Sequence, residues 1–288
     1  MIVTITLNAA LSVSCQTPRL RWDATNQVSH VRHRAGGRGV AVARVLHTFG
    51  HEVLAAGFAG GGTGELIRAD LAQGGIPTAF TRIASQSRRR TEILDESTGR
   101  HLRFSEPPPY ITTEELGRFA ADYRRLLADA TAVVLCGSLP AGMPSEIYAT
   151  LATYAAEAGI PAILATGGPA LQHAAPRRPA LVIPDETPDP HLLLTAGAGA
   201  VALLTGHKVH IITPDKQWQA AIPHLAAAPP WPRDALVAGL VPGVLLNWSW
   251  PDRLRHAIAL AAAATPAGEV DLTTYEHLIP KVRIDPPG

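Results

Sequence analysis

The stretch Ala35-Gly36-Gly37-Arg38-Gly39-Val40-Ala41-Val42-Ala43-Arg44-Val45-Leu46 decides the architecture. Its clustered glycines mark a tight turn, after which Val40, Ala43, Val45, Leu46 and Phe49 recur at helical spacing until Gly50 stops the run. Upstream, residues 2 to 7 alternate as a strand, and residues 18 to 34 read as irregular extended chain. The same order of strand, glycine turn and helix returns twice. Glu52 to Phe58 leads through Gly60-Gly61-Gly62-Thr63-Gly64 into a helix from Glu65 to Gln73. Ala132 to Leu135 leads through Gly137-Ser138-Leu139-Pro140-Ala141-Gly142 into a helix from Ser145 to Ala158, and a strand from Pro161 to Ala165 follows. Strands that alternate with helices at this spacing predict an α/β fold with a mostly parallel sheet and helices on both faces.

One segment breaks the alternation. Arg90 to Leu94 and Arg100 to Phe104 flank Glu96-Ser97-Thr98-Gly99 like a hairpin, which has no place in a parallel core. It is assigned, with residues 9 to 34, to a small β lid, so that one domain over residues 1 to 288 carries lid segments at about 9–34 and 85–105. Ala, Gly and Pro dominate from Pro184 to Pro232, and no well-patterned helix of normal length is expected between Pro190 and Ala200. Helices are expected again at Asp234 to Leu246 and Pro251 to Ala264.

Of the 288 residues, 47% are hydrophobic and 17% charged, with a net charge of +1. A chain this apolar folds, and one this near neutrality carries no field to hold nucleic acid or an anionic membrane, so small molecules are the expected partners. The start Met1-Ile-Val-Thr-Ile-Thr-Leu lacks the basic region of a signal peptide, and the apolar run Ala257 to Ala264 falls far short of a membrane span. A cytoplasmic protein is expected, with Cys15 and Cys136 as free packing thiols. His47 and His51 lie one helical turn apart, but no third ligand accompanies them, so no metal site is assigned.

Neither Gly-x-x-x-x-Gly-Lys-Ser/Thr nor Gly-x-Gly-x-x-Gly after a strand occurs. What occurs, in order, is Thr6-Leu7-Asn8-Ala9-Ala10-Leu11, Gly36 to Leu46, Gly57-Phe58-Ala59-Gly60-Gly61-Gly62-Thr63-Gly64, Ser105-Glu106-Pro107-Pro108-Pro109 and Cys136-Gly137-Ser138-Leu139-Pro140-Ala141-Gly142. In order and spacing this set resembles the PfkB (ribokinase-like) carbohydrate kinases, nearest their 1-phosphofructokinase and tagatose-6-phosphate kinase branch. The likeness covers residues 1 to 175 strongly and 230 to 265 weakly. It implies a three-layer α/β/α sandwich with a β lid, a hexose-phosphate substrate, ATP with Mg, and a lid-to-lid homodimer.

Carried over residue by residue, the resemblance assigns substrate binding to Asn8, Ser12, Gly36, Gly37, Arg38, Gly39, Arg88, Arg90 and Gly137. Cofactor contacts fall on Asp185, Thr205 and Gly206. The family's Gly-Ala-Gly-Asp, an anion hole followed by the catalytic base, reads Trp231-Pro232-Arg233-Asp234 here. Asp234 is the base or an ordinary helix N-cap. Pro232 has no N–H to offer, and Arg233 is either a substitute cation for the lost donors or a solvated arginine. Ser12 stands for the family's aspartate, Arg38 for its lysine, and Pro188 for the glutamate that helps organise Mg. The helix after Ile183-Pro184-Asp185-Glu186 reads as deleted. These departures predict a sugar-phosphate kinase with very slow phosphoryl transfer, or a pseudokinase that binds a sugar phosphate or a protein partner without it. Arg88-Arg89-Arg90 is either a solvated lid edge or a site for a more anionic ligand.

Overall fold

A computed structural model describes residues 1–222, 232–265 and 269–285. The first strand, β1 (Ile2–Thr6), is followed by β2 (Ala10–Thr17), β3 (Ser29–Gly36), α1 (Arg38–Thr48), β4 (Val53–Gly60) and α2 (Gly61–Gln73). Next come β5 (Thr78–Ile83), β6 (Arg88–Asp95), β7 (Arg100–Ser105), α3 (Thr113–Leu126), β8 (Ala132–Cys136), α4 (Ile147–Glu157), β9 (Ala162–Ala165), α5 (Gly168–Ala174) and β10 (Leu181–Val182). The chain continues through α6 (Pro190–Ala196), β11 (Val201–Thr205), β12 (Lys208–Ile212), β13 (Gln217–Ala221), α7 (Arg233–Leu245), α8 (Trp250–Ala263), α9 (Leu272–Leu278) and β14 (Arg283–Ile284).

Among the described residues, ten strands form the central sheet in the order β14-β13-β12-β11-β10-β9-β8-β1-β4-β5, parallel from β5 to β11 and antiparallel beyond. β1 lies inside the sheet, between β8 and β4, and both of its faces are buried. Val3 and Ile5 pack with α3, α4 and α5 residues on one side, while Ile2 joins the α1, α7 and α8 residues on the other. Helices therefore close both faces of the sheet, as an α/β/α sandwich.

A second sheet, β3-β2-β6-β7, stands apart as the lid. β2 pairs with β6 in parallel, so Ala10, Ser12 and Ser14 lie opposite Arg88, Arg90 and Glu92. On its other side β2 pairs with β3, setting Ser12 against Arg34 and Ser14 against Arg32. Period-two alternation then puts all of these on one face, and Arg89, which bonds Glu106, on the other.

Two expectations are corrected. Residues 18 to 34 are not irregular throughout, because the ladder strand Ser29–Gly36 takes up their last part. The helix after Asp185 is shortened, not deleted. Asp189 caps it by accepting from the His191 N–H, Pro190 starts it, and Gly197 at φ 128 stops it after Ala196. The antiparallel edge β12-β13-β14 was also not legible, since its residues sit within the Ala/Gly/Pro-rich stretch and at the end of the chain.

Candidate functional site

A cavity of about 650 Å³ opens where the carboxyl end of the parallel sheet meets the lid. Crevices at strand carboxyl ends are the usual ligand sites of open α/β sheets. The floor comes from the turn into α1. Gly37 has φ 120, and a Cβ there would lie 2.5 Å from Thr6 Cγ2. At Gly39 a Cβ would lie 2.4 Å from Thr6 Oγ1 and 2.7 Å from the Ile5 carbonyl oxygen, so only glycine lets α1 start against β1. Asp70 of α2 ties the lid root down, accepting the Ala35 N–H at 2.7 Å and pairing with Arg44.

The start of α1 carries Arg38 into the centre of the site. Its guanidinium donates to the Ala165 carbonyl at 2.9 Å, pairs with Asp185, and holds Asp234 Oδ1 at 3.1 Å from Nε. Burial lowers the Arg38 pKa, yet Asp185 and Asp234 more than offset it, so the guanidinium sits above its ordinary value. Burial likewise raises Asp234 to about 6, against the pull of Arg38. Pro232 occupies the cap position of α7, so Asp234 is not the N-cap; its side chain is committed to Arg38.

Arg233 does not line the cavity, because its guanidinium donates to the Pro184 carbonyl at 2.5 Å. The backbone N–H groups of Arg233 and Asp234 have no acceptor among the described residues. Two donors therefore survive at the start of α7, and Pro232 removes a third. Trp231 lies outside the described residues.

Around the upper cavity, polar groups are buried without partners. Asn8 donates its Nδ2 to Ser138 Oγ and the Leu139 carbonyl, but its Oδ1 accepts nothing among the described residues. Thr6 Oγ1 and Arg88 Nε are orphaned in the same way. Asn8 is 7% and Arg88 8% exposed. Orphaned buried groups around a cavity mark the place of a polar ligand.

Of the sequence-assigned residues, Asn8, Ser12, Gly36, Gly37, Arg38, Arg88, Arg90, Gly137, Asp185 and Asp234 share this cavity. Gly39 lies beneath it as packing. Thr205 and Gly206 do not line it; they form the tip of the β11-β12 hairpin, where Thr205 pairs with Lys208 and Gly206 takes φ 61. Sequence reasoning missed Arg32, Arg34 and Ser14, which also line the cavity. The alternation of residues 10, 12 and 14 with 32, 34 and 36 would have found them.

As to ATP and Mg, the two acids Asp185 and Asp234 are both already paired with Arg38, and among the described residues no group of three or more His, Cys, Asp or Glu could hold a metal ion. The site as built does not fit a Mg ion between Asp185 and Asp234 while Arg38 stays there. Both cysteines are free and buried, and no described helix is long and apolar enough to cross a membrane.

Comparison with known proteins agrees with this fold. The structure resembles phosphofructokinase-2 from Escherichia coli in complex with fructose-6-phosphate, with TM-score 0.83 and 22% identity over 97% of this chain and 98% of that one. It also resembles a Thermotoga maritima protein described as a possible 1-phosphofructokinase, with TM-score 0.85 and 21% identity over 99% of each chain. A carbohydrate kinase from Agrobacterium tumefaciens matches at TM-score 0.74 and 15% identity over 98% of this chain and 99% of that one. The model of the pfkB family carbohydrate kinases matches residues 8–187, more than half of the sequence, and the chain therefore belongs to the pfkB family of carbohydrate kinases.

Proposed function

We propose that this chain binds a sugar phosphate beneath its lid and transfers phosphoryl groups from ATP to it very slowly or not at all. The observation that carries this reading is the position of Arg38. Its guanidinium spans Asp185 and Asp234, so the candidate base and the candidate cation ligand are both spent on one internal cation. Proton abstraction needs a carboxylate facing the substrate hydroxyl, and Mg-ATP needs acids free to meet the metal. The loss of the Pro232 N–H from the start of α7 weakens any anion hole as well. By contrast, Arg88 in the lid, and Thr6 and Asn8 at the end of β1, hold unsatisfied buried polar atoms among the residues that line the cavity.

A thermal-shift scan tests this. Fructose 1-phosphate, fructose 6-phosphate or tagatose 6-phosphate should raise Tm, since a ligand at 100 times its Kd stabilises by about 2.7 kcal/mol. Mg-ATP alone should not. No response to any sugar phosphate sinks the reading.

A second reading is favoured by one observation. Asp234, raised to about 6, is tuned near neutrality as a general base, and the Arg233 and Asp234 N–H groups have no acceptor among the described residues. On that reading a hexose phosphate is phosphorylated once the ligand displaces Arg38. Family membership also supports a cytoplasmic homodimer joined lid to lid, with exposed Trp22, Val31 and Phe104 on the lid segments. Light scattering at micromolar concentration should give twice the chain mass.

A further inference from the structure

The inner face of the lid is an ordered array of cations and serine hydroxyls. Row by row across β3, β2 and β6 it reads Gly36–Ala10–Arg88, Arg34–Ser12–Arg90 and Arg32–Ser14–Glu92. Both arginine-bearing strands turn these side chains into the same cavity.

The ion pairs sort the array. Arg34 is held by Glu269 at 2.7 Å, and Arg44, below, by Asp70. Glu92 is held from β7 by Arg103 and His101, which neutralises the acid nearest Arg32. Arg88, Arg90 and Arg32 have no acidic partner among the described residues. Arg88 is buried and its Nε is orphaned.

These three cations are not one cluster. Arg88 and Arg90 are two residues apart on β6, about 6.5–7 Å along the strand. Arg32 lies two strands away on β3, about 9–10 Å across the sheet, with Ser14 beside it.

We propose that the lid binds a sugar phosphate carrying a second anionic group at its far end, a phosphorylated sugar acid. This rests on the sugar-phosphate reading given above. Arg88 and Arg90 together match the dianionic phosphate. Arg32, a single fork beside the Ser14 hydroxyl, matches one carboxylate, which guanidinium binds with two parallel hydrogen bonds. A sugar chain bridges the two positions over Ser12, whose hydroxyl is neutral towards it.

The test uses calorimetry on the full chain with glucitol 6-phosphate and 6-phosphogluconate, which differ only in a hydroxymethyl against a carboxylate at C1. The phosphogluconate should bind about tenfold more tightly or better. Arg32→Ala should bring it down to the affinity of glucitol 6-phosphate and leave the latter within about twofold, while Arg32→Lys keeps part of the gain. Arg32 is exposed on the lid, and an unchanged Tm of the unliganded variant checks that its fold is intact.

Equal affinities in the wild type, or a gain that survives Arg32→Ala, overturn the proposal and leave the sugar-phosphate reading standing. If neither compound nor fructose 6-phosphate binds, both fall. Fructose 1,6-bisphosphate separates the second anion's chemistry: an Arg32-dependent gain over fructose 6-phosphate, with none for phosphogluconate, overturns the carboxylate assignment.

Discussion

The two halves of the cavity use the same kinds of side chain in opposite ways. On the lid side Arg88, Arg90 and Arg32 line the cavity with no acidic partner among the described residues, and Arg88 Nε there and Asn8 Oδ1 at the end of β1 are buried with no hydrogen-bond partner among them. Beneath them Arg38, Asp185 and Asp234 satisfy one another, and Arg233 is turned onto the Pro184 carbonyl. Unmet hydrogen-bonding capacity is stored for a ligand, whereas met capacity is structure. On the function proposed above, the family scaffold would keep its substrate-holding half while its transfer half serves as a salt-bridged floor.

The junction of the two halves is where the comparison breaks most violently. Gly39→Val would drive a side chain into the Ile5 carbonyl and Thr6, and should cost about 3 kcal/mol or more in urea denaturation, removing ligand binding with the fold. Next in size, Arg88→Ala should lower fructose 6-phosphate affinity by about 10- to 100-fold, as loss of a buried charge-assisted contact does. Its Tm without ligand should hold or rise, because the guanidinium is now buried without an acid. A fall in Tm with unchanged affinity would make Arg88 a structural residue and erase the contrast.

Arg38→Met sharpens the other side. Burial already raises Asp234, and Arg38 is the main group that holds it down, so removing the cation should move the carboxyl titration above about 6, as seen by carbon NMR. An unmoved titration would mean that the pair is not formed in solution.

The smallest effect is on stability against pH. Asp234 keeps its proton to higher pH when folded than when unfolded, where its ordinary value is 3.8. Its contribution to stability is therefore fully present below about pH 4 and is lost as pH rises through about 6. Asp234→Asn should flatten that decline, and the wild-type advantage over the variant should shrink between those values. A wild-type advantage that grows with pH would contradict the raised pKa.

How much of this was legible depends on whether the cause is local. Gly36, Gly37 and Gly39 could be read because a tight turn against β1 admits only glycine, a constraint written in the sequence itself. Arg88 and Arg90 could be placed in the lid segment, but the split that sends Arg89 outward needed the strand register. The pairing of Arg38 with Asp185 and Asp234 was not legible, for it joins residues 147 and 196 positions apart through the tertiary fold. Nor was the role of Arg233, whose partner is a backbone carbonyl rather than a side chain with a charge to match. In the stretch from Pro184 to Pro232, small residues and proline carry little periodicity, so α6 and the antiparallel edge left only caps and turns as signals.

The central claim, as proposed above, is that the chain holds a sugar phosphate while Asp185 and Asp234 are tied to Arg38, and steady-state turnover tests it most directly. Purified wild-type protein with saturating Mg-ATP and fructose 1-phosphate, fructose 6-phosphate or tagatose 6-phosphate should release ADP at least about 10³-fold more slowly than the roughly 1–100 per second of ordinary kinases. Turnover within that ordinary range would contradict the account, and would mean that substrate binding draws Arg38 away from Asp234.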